Sequence, residues 1–345
     1  MRASSRRLPR LPRRATALLA ALLLVAVAAP ACSTDGDRLT IYSGRTSDLI
    51  SPLLEDFSEE TGIAIDVRYG DSADLALLID EEGDRTEADV FISQSPGAVG
   101  FLDEQGMLSE LDPALLDLVD EQFRAGDGQW IGLSGRVRVL VYNTDEVEGS
   151  ELPDTVLELT DERFAGRVAV APNNGSFQDF VTAMRLELGD EVATEWLDGM
   201  AANDAPTYSN NTAIVEAVAR GEVPMGLVNH YYLERALAED PDLPAANHFF
   251  AEGDVGSLLI VTGTSIIEGS DQSEDAQRLL EFLLSEQAQR YFAEETFEYP
   301  LARGVDPADT VPPLDSINTT TIDLDGLGGG LARTAELIQD SGLDR

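Results

Sequence analysis

The chain has 345 residues, 64 of them Asp or Glu against 23 cations, and a net charge of −41 with neutral histidines. Lysine is absent, so every cation is an arginine. Such a surface repels phosphate backbones and anionic membranes, which argues against nucleic-acid binding and against a polybasic membrane patch. The hydrophobic fraction of 43% is ample for folded cores and excludes a disordered chain.

Residues 1–31 hold six arginines (Arg2, Arg6, Arg7, Arg10, Arg13, Arg14) and no acid. An apolar run from Ala15 to Ala29, broken only by Thr16, follows them. That run is shorter than the roughly 20 residues a membrane span needs, and with the small residues after it reads as a removable secretory signal. Ala29-Pro30-Ala31-Cys32 resembles a lipobox, with Pro30 a departure from the commonest form, and Cys32 is the only cysteine in the chain. Cys32 is therefore expected to be acylated and to begin the mature protein, with residues 32–38 as a tether. Taking the six signal arginines from the 23 cations leaves 17 against 64 acids, a net charge near −47. The roughly 310 remaining residues suffice for two domains, held by packing alone because no cysteine pair exists.

Leu39–Ser43 predicts a strand, and Leu49, Leu53, Leu54 and Phe57 predict a helix over 48–60 that Gly62 stops. Ile63–Tyr69 predicts a strand, 72–82 a helix, Ala88–Ile92 a buried strand and 96–105 a helix ending at Gly106. This strand–helix rhythm implies parallel β-α-β units. It restarts with strands at Arg136–Tyr142 and Arg167–Ala171, then a helix from Phe177. A helix at 211–220, strands at Val223–Val228 and Gly256–Thr262, a long helix at 274–292, an irregular stretch at 300–330 and a last helix at 330–341 complete the prediction. Two α/β units in sequence suggest two lobes that share crossing strands.

Enzyme signatures are missing. Gly132-Leu133-Ser134-Gly135 lacks the residue that a nucleophile elbow places between serine and the second glycine. No phosphate-binding loop or dinucleotide fingerprint occurs. Asp323-Leu324-Asp325-Gly326 lacks the distal glutamate of a calcium loop and reads as a turn. Two features stand out instead. Tyr231-Tyr232 follows a strand and Asn229-His230; a turn or helix start there would aim both hydroxyls at one site, and phenolate suits a hard cation such as Fe(III). Paired tyrosines also serve commonly as packing at a core edge. Asn173-Asn174-Gly175-Ser176 and Tyr208-Ser209-Asn210-Asn211 each precede a helix, where they can hold an anion or simply cap the helix.

In their order and spacing, these pieces resemble the ferric-ion-binding family of ABC-importer substrate-binding proteins. The matching segments are Ile41–Arg45, Ala88–Gln94, Gly132–Val139 running to Tyr142, Pro172–Phe177, Tyr208–Asn211, Asn229–Tyr232 and Glu298–Leu301. The resemblance implies an α/β, type II-like periplasmic-binding-protein fold with the ligand in a cleft between two lobes. The lobes are expected at 39–138 plus 262–312 and at 139–261 plus 313–345. It also implies Fe(III) as cargo, held by Tyr231, Tyr232 and Tyr142. A synergistic anion, carbonate or phosphate, would lie among Asn174, Gly175, Ser176, Asn211 and Asn229, with Arg45 facing it. Where some members carry a first-lobe histidine and glutamate, this chain has Thr46 and Gln94, so the first lobe is expected to lack a strong metal ligand. His230 is expected as a hydrogen-bonding hinge residue. The implied protein is a monomeric, lipid-anchored, non-enzymatic receptor partnered with a membrane permease. The same fold with an organic anion, phosphonate or polyamine as ligand, or a sensor role, is the alternative.

Overall fold

Strand β1 (Arg38–Ser43) is buried along most of its length, and a strand covered on both faces needs helices on either side. It pairs in parallel with β2 (Ala64–Tyr69) and with β3 (Val90–Ser93). Helices α1 (Ser47–Thr61), α2 (Ser72–Glu82) and α3 (Pro96–Glu104) supply the crossovers and cover, as the alternating sequence requires. In α1 the buried residues are Leu49, Ile50, Leu53, Leu54 and Phe57, one apolar stripe, and Gly62 ends the helix in the left-handed conformation. A short α4 (Pro113–Leu116) follows.

The structure, a computed structural model, describes residues 38–317 and 330–344. The expected signal, Cys32, the tether before Arg38 and the Asp323–Gly326 turn lie outside the described residues. From Arg38 onward the chain forms one unit. Among the described residues no helix is long and apolar enough to cross a membrane.

The sheet is organised by β4 (Ile131–Asn143), five residues longer at its start than its valine-rich part suggests. Its first half pairs antiparallel with β8 (Leu259–Ile266), and from Arg138 onward its partner is β6 (Met225–Asn229). The order across the sheet is β2-β1-β3-β8-β4-β6-β5, where β5 (Val168–Ala169) runs parallel to β6. Both β7 (Ala245–His248) and β9 (Tyr299–Pro300) also pair with β4. One strand thus belongs to two sheet regions, which is how the crossing expected from sequence is built.

Helices α5 (Gly175–Leu188), α6 (Asp190–Ala202) and α7 (Asn211–Ala219) cover the second region. Trp196 of α6 packs edge-on against Phe180 of α5, with ring centres 5.3 Å apart. Helix α8 (His230–Glu239) starts directly at the end of β6. The periodic stretch at 274–292 is two helices, α9 (Ser273–Leu283) and α10 (Glu286–Glu294). Ser285 breaks it, accepting from the Ala288 N–H as the N-cap of α10. Helix α11 (Leu331–Ser341) rests on α5, where Thr334 and Thr182 share a 2.7 Å hydroxyl bond.

Candidate functional site

The Tyr231–Tyr232 pair is positioned by the junction of β6 and α8. Because α8 begins at His230, both tyrosines lie in its first turn, and their rings stack 4.2 Å apart at 28°. Tyr231 is fully buried, yet its hydroxyl has no hydrogen-bond partner. Buried phenols normally find one, so this oxygen stands out. Burial, then Tyr232 and Glu298, hold the Tyr231 phenol well above its ordinary range, so it is neutral without a metal.

His230 anchors the same turn. Its Nδ1 accepts from the Val137 N–H at 3.1 Å and its Nε2 lies 2.8 Å from the Phe297 carbonyl, which it meets as donor. Burial lowers its pKa to about 4, so the ring is neutral and both nitrogens are taken up by the backbone.

Beside the tyrosines the start of α5 forms a cradle. Asn174 caps α5, its Oδ1 accepting from the Ser176 N–H at 3.1 Å. Asn211 Nδ2 donates to that same Oδ1 at 3.2 Å, and Asn229 Nδ2 donates to Ser176 Oγ at 3.0 Å. The neighbour Asn210 caps α7 through the Ala213 N–H, which leaves Asn211 free for this role. The structure therefore brings together Asn174, Gly175, Ser176, Asn211 and Asn229, at a helix start whose N–H groups favour negative charge.

Arg45 lies elsewhere in this network than a simple anion contact implies. Both of its Nη atoms donate to Glu298 at 2.7 Å, and Nη1 also reaches Thr262 Oγ1 at 3.0 Å. Burial opposes the Arg45 charge, but Glu298 more than offsets it and leaves the guanidinium pKa raised. Only its Nε is without a partner.

Tyr142 does not join the pair. In the antiparallel register Arg138 faces Asn229 and Tyr142 faces Met225, so Tyr142 lies four residues, about 13 Å, along the strand from the cradle. Its ring lines a separate surface hollow with Thr144, Asp145, Glu146 and Glu151. Thr46 is exposed, and Gln94 donates its backbone N–H to Ser72 Oγ at 2.9 Å.

Sequence reasoning gave no role to Arg136, Arg138 or Asp179. Arg136 and Arg138 alternate with Val137 on an otherwise apolar buried strand, and that alternation was the available signal. Arg138 Nη1 donates to Asn229 Oδ1 at 3.3 Å and Arg136 Nη1 to Thr262 Oγ1 at 3.0 Å. The Nε and Nη2 of both are buried without partners. Burial pushes both guanidinium pKa values down. With Arg45, three buried cations surround the tyrosines, countered among the described residues by Glu298 and Asp179. The result is a locally positive site with unused N–H donors inside a strongly acidic protein. An oxyanion fits such a set.

Residues 86–326 match the family of bacterial extracellular solute-binding proteins. The chain belongs to this family. A Fe(3+)-binding periplasmic protein of Serratia marcescens is 29% identical, over 95% of this chain and 96% of its own. Iron uptake protein A1 of Synechocystis sp. is 31% identical, over 91% and 90%. Iron-bound HitA from Pseudomonas aeruginosa superposes with a TM-score of 0.85 at 32% identity, covering 88% of this chain and 99% of that one. A Trichodesmium protein in complex with iron and citrate superposes with a TM-score of 0.77 at 28% identity, over 88% and 99%. The fold is the two-lobe α/β arrangement of these binding proteins, as the sequence led one to expect.

Proposed function

We propose that the chain is the exported solute receptor of an ABC importer, capturing Fe(III) with a small oxyanion and handing it to a membrane permease. One observation carries the reading: the buried, partnerless hydroxyl of Tyr231, stacked on Tyr232 among buried guanidinium groups. A hard trivalent cation takes phenolate oxygen, and it can displace a proton that burial alone would retain. Arg45, Arg136 and Arg138 lower the energy of the phenolates as they form. Carbonate or phosphate completes the charge balance among Asn174, Gly175, Ser176, Asn211, Asn229 and the unused N–H groups of Arg138. Tyr142 is left out of this ligand set because of its distance. The relatives named above, described as iron-binding and iron-uptake proteins, support iron over an organic ligand.

We place the lobe division at the switch of β4 partners near Arg138, with 39–138 and 262–312 in the first lobe. The second lobe takes 139–261 and 313–345, and the seating of α11 on α5 supports that grouping. Acylation at Cys32 would hold a monomeric receptor beside its permease.

The test is optical. Purified protein given ferric nitrilotriacetate in carbonate or phosphate should develop a visible phenolate-to-iron charge-transfer band at one iron per chain. Tyr231→Phe and Tyr232→Phe should each remove or shift it, and Tyr142→Phe should leave it unchanged. A colourless unmutated protein ends the iron reading.

A further inference from the structure

In the proposed site both phenols that would ligate the metal come from one lobe, so the metal's own bonds contribute little to holding the other lobe closed. The contacts that bridge the lobes then decide how long the cargo stays. Two stand out. One, between Arg235 on α8 and Asp48 at the start of α1, is 3.1 Å long, with the Asp48 side chain 57% exposed. Exposed pairs of this kind contribute little. The other is buried: Ser95 Oγ donates to Asp179 Oδ1 at 2.6 Å, joining residues 84 apart in sequence.

Several features reserve Ser95 for this bond. It occupies the N-cap of α3, where a serine ordinarily accepts from its own helix, yet it makes no capping bond. Its backbone is held by Ser93, which accepts from the Ser95 N–H at 3.1 Å and donates to the Ser95 carbonyl at 2.6 Å. It immediately follows Gln94, whose backbone N–H donates to Ser72 Oγ at 2.9 Å. Asp179 is fully buried on α5, four residues after Gly175, and its Oδ2 has no partner. A carboxylate placed there is stable only with compensation, and the Ser95 hydroxyl is the one direct donor it has among the described residues. Beside the bond lies a polar cavity of about 60 Å³, lined by Ser72, Gln94, Ser95, Asn174 and Ser176. It has room for about two waters, which can solvate both partners once they separate.

We propose that Ser95 and Asp179 form the latch that keeps the lobes closed over the cargo, acting as positioning residues. The latch acts on retention. The inner shell of the metal, and hence the colour of the complex, is independent of it. This rests on the iron reading and on the lobe division given above.

The experiment is stopped-flow transfer of iron to a competing chelator, followed at the charge-transfer band. Ser95→Ala should release iron about tenfold faster than the unmutated protein, the loss expected for a hydrogen bond to a charged group, with the band maximum unmoved. Asp48→Asn, at the exposed pair, should stay within about twofold. In an Asp179→Asn background, Ser95→Ala should accelerate release by less than it does alone, because the two residues act as one pair. Equal release rates for Ser95→Ala and the unmutated protein, or independent effects in the cycle, overturn the latch. If Ser95→Ala folds poorly, hydrogen exchange on the unmutated protein decides: amides of 97–99 and 178–182 should gain protection together on iron loading, and unchanged protection overturns it. No band in the unmutated protein is a separate failure, that of the iron reading.

Discussion

Replacing Tyr231 by Phe should stabilise the iron-free protein while abolishing its response to iron. In the metal-free state the Tyr231 hydroxyl is buried with no partner. Leaving such a group unsatisfied costs about 1–3 kcal/mol, and Phe fills nearly the same volume without it. Allowing some tenths of a kcal/mol for lost contacts, the variant should gain about 1–2 kcal/mol, a rise of a few degrees in Tm for a chain of this size. Iron works in the opposite direction. A cargo present at a thousand times its Kd stabilises the unmutated protein by about 4 kcal/mol, and Tyr231→Phe should lose most of that. The two melting curves should therefore cross: variant above parent in chelator, parent above variant in ferric nitrilotriacetate. Tyr299 is the control, because its hydroxyl donates to the Pro312 carbonyl at 2.9 Å. Tyr299→Phe should lower Tm in chelator by a few degrees. A Tyr231→Phe variant that also melts lower in chelator would show that the hydroxyl is held by structure and is not reserved for a ligand.

Other expectations follow from the same geometry. Because Tyr231 is neutral without metal, with its pKa raised by burial and by Tyr232, loading must release at least one proton per iron. Affinity should then tighten at least tenfold per pH unit and weaken in acid, and pH-stat titration in weak buffer should count the released protons. Arg138→Gln removes a cation with two partnerless N–H donors beside Asn229, so the oxyanion needed for half-maximal colour should rise about tenfold or more. Asp179 has its pKa raised from 3.8 to about 6 by burial, against the opposing pull of Ser95, Arg136 and Arg138, with Asp71 adding to the rise. Between those values the folded protein binds the extra proton, so this group subtracts stability as pH rises, by about 3 kcal/mol once above pH 6. Asp179→Asn should accordingly melt higher than the parent at pH 7, with the gap narrowing toward pH 4; a gap that widens in acid refutes the sign.

What could be read from the sequence follows from what is local. The stripe of Leu49, Leu53 and Phe57 needs only helical spacing to be seen, and α1 and α2 lie where that spacing puts them. The break at Ser285 is easily missed because each half keeps helical spacing by itself, Ala276, Leu279, Leu280 and Leu283 in α9 and Ala288, Phe292 and Ala293 in α10; the slip in phase from Leu283 to Ala288 is the available signal. The asparagine and serine cradle is visible because each member sits at a helix start, a position with its own chemistry. The ion pair that occupies both Nη atoms of Arg45 could not be read locally, because its partner Glu298 is 253 residues away. The separation of Tyr142 from the tyrosine pair is unreadable for a related reason: nearness to a motif says nothing of register, and on an antiparallel pair each step along β4 moves away from Asn229.

The division of labour in the site bears on how a tight receptor lets go. Phenols on the first turn of α8 and the cradle at the starts of α5 and α7 all stand on elements that flank β6. Their relative positions are thus set by packing within one lobe, and the phenols and the cradle need no movement of the opposite lobe to be in place. Arg45, Arg136 and Arg138 contribute charge from that lobe; Glu298 holds Arg45 by both Nη atoms, so its field is fixed and it does not follow the ligand. The metal's ligation is then a property of one face, adjustable by protonating phenols or by removing the anion. Retention is a property of the contacts across the cleft. A partner that separates Ser95 from Asp179 can expose the cargo without first breaking any bond to the metal, and a receptor so arranged can bind Fe(III) tightly and still yield it quickly at the permease.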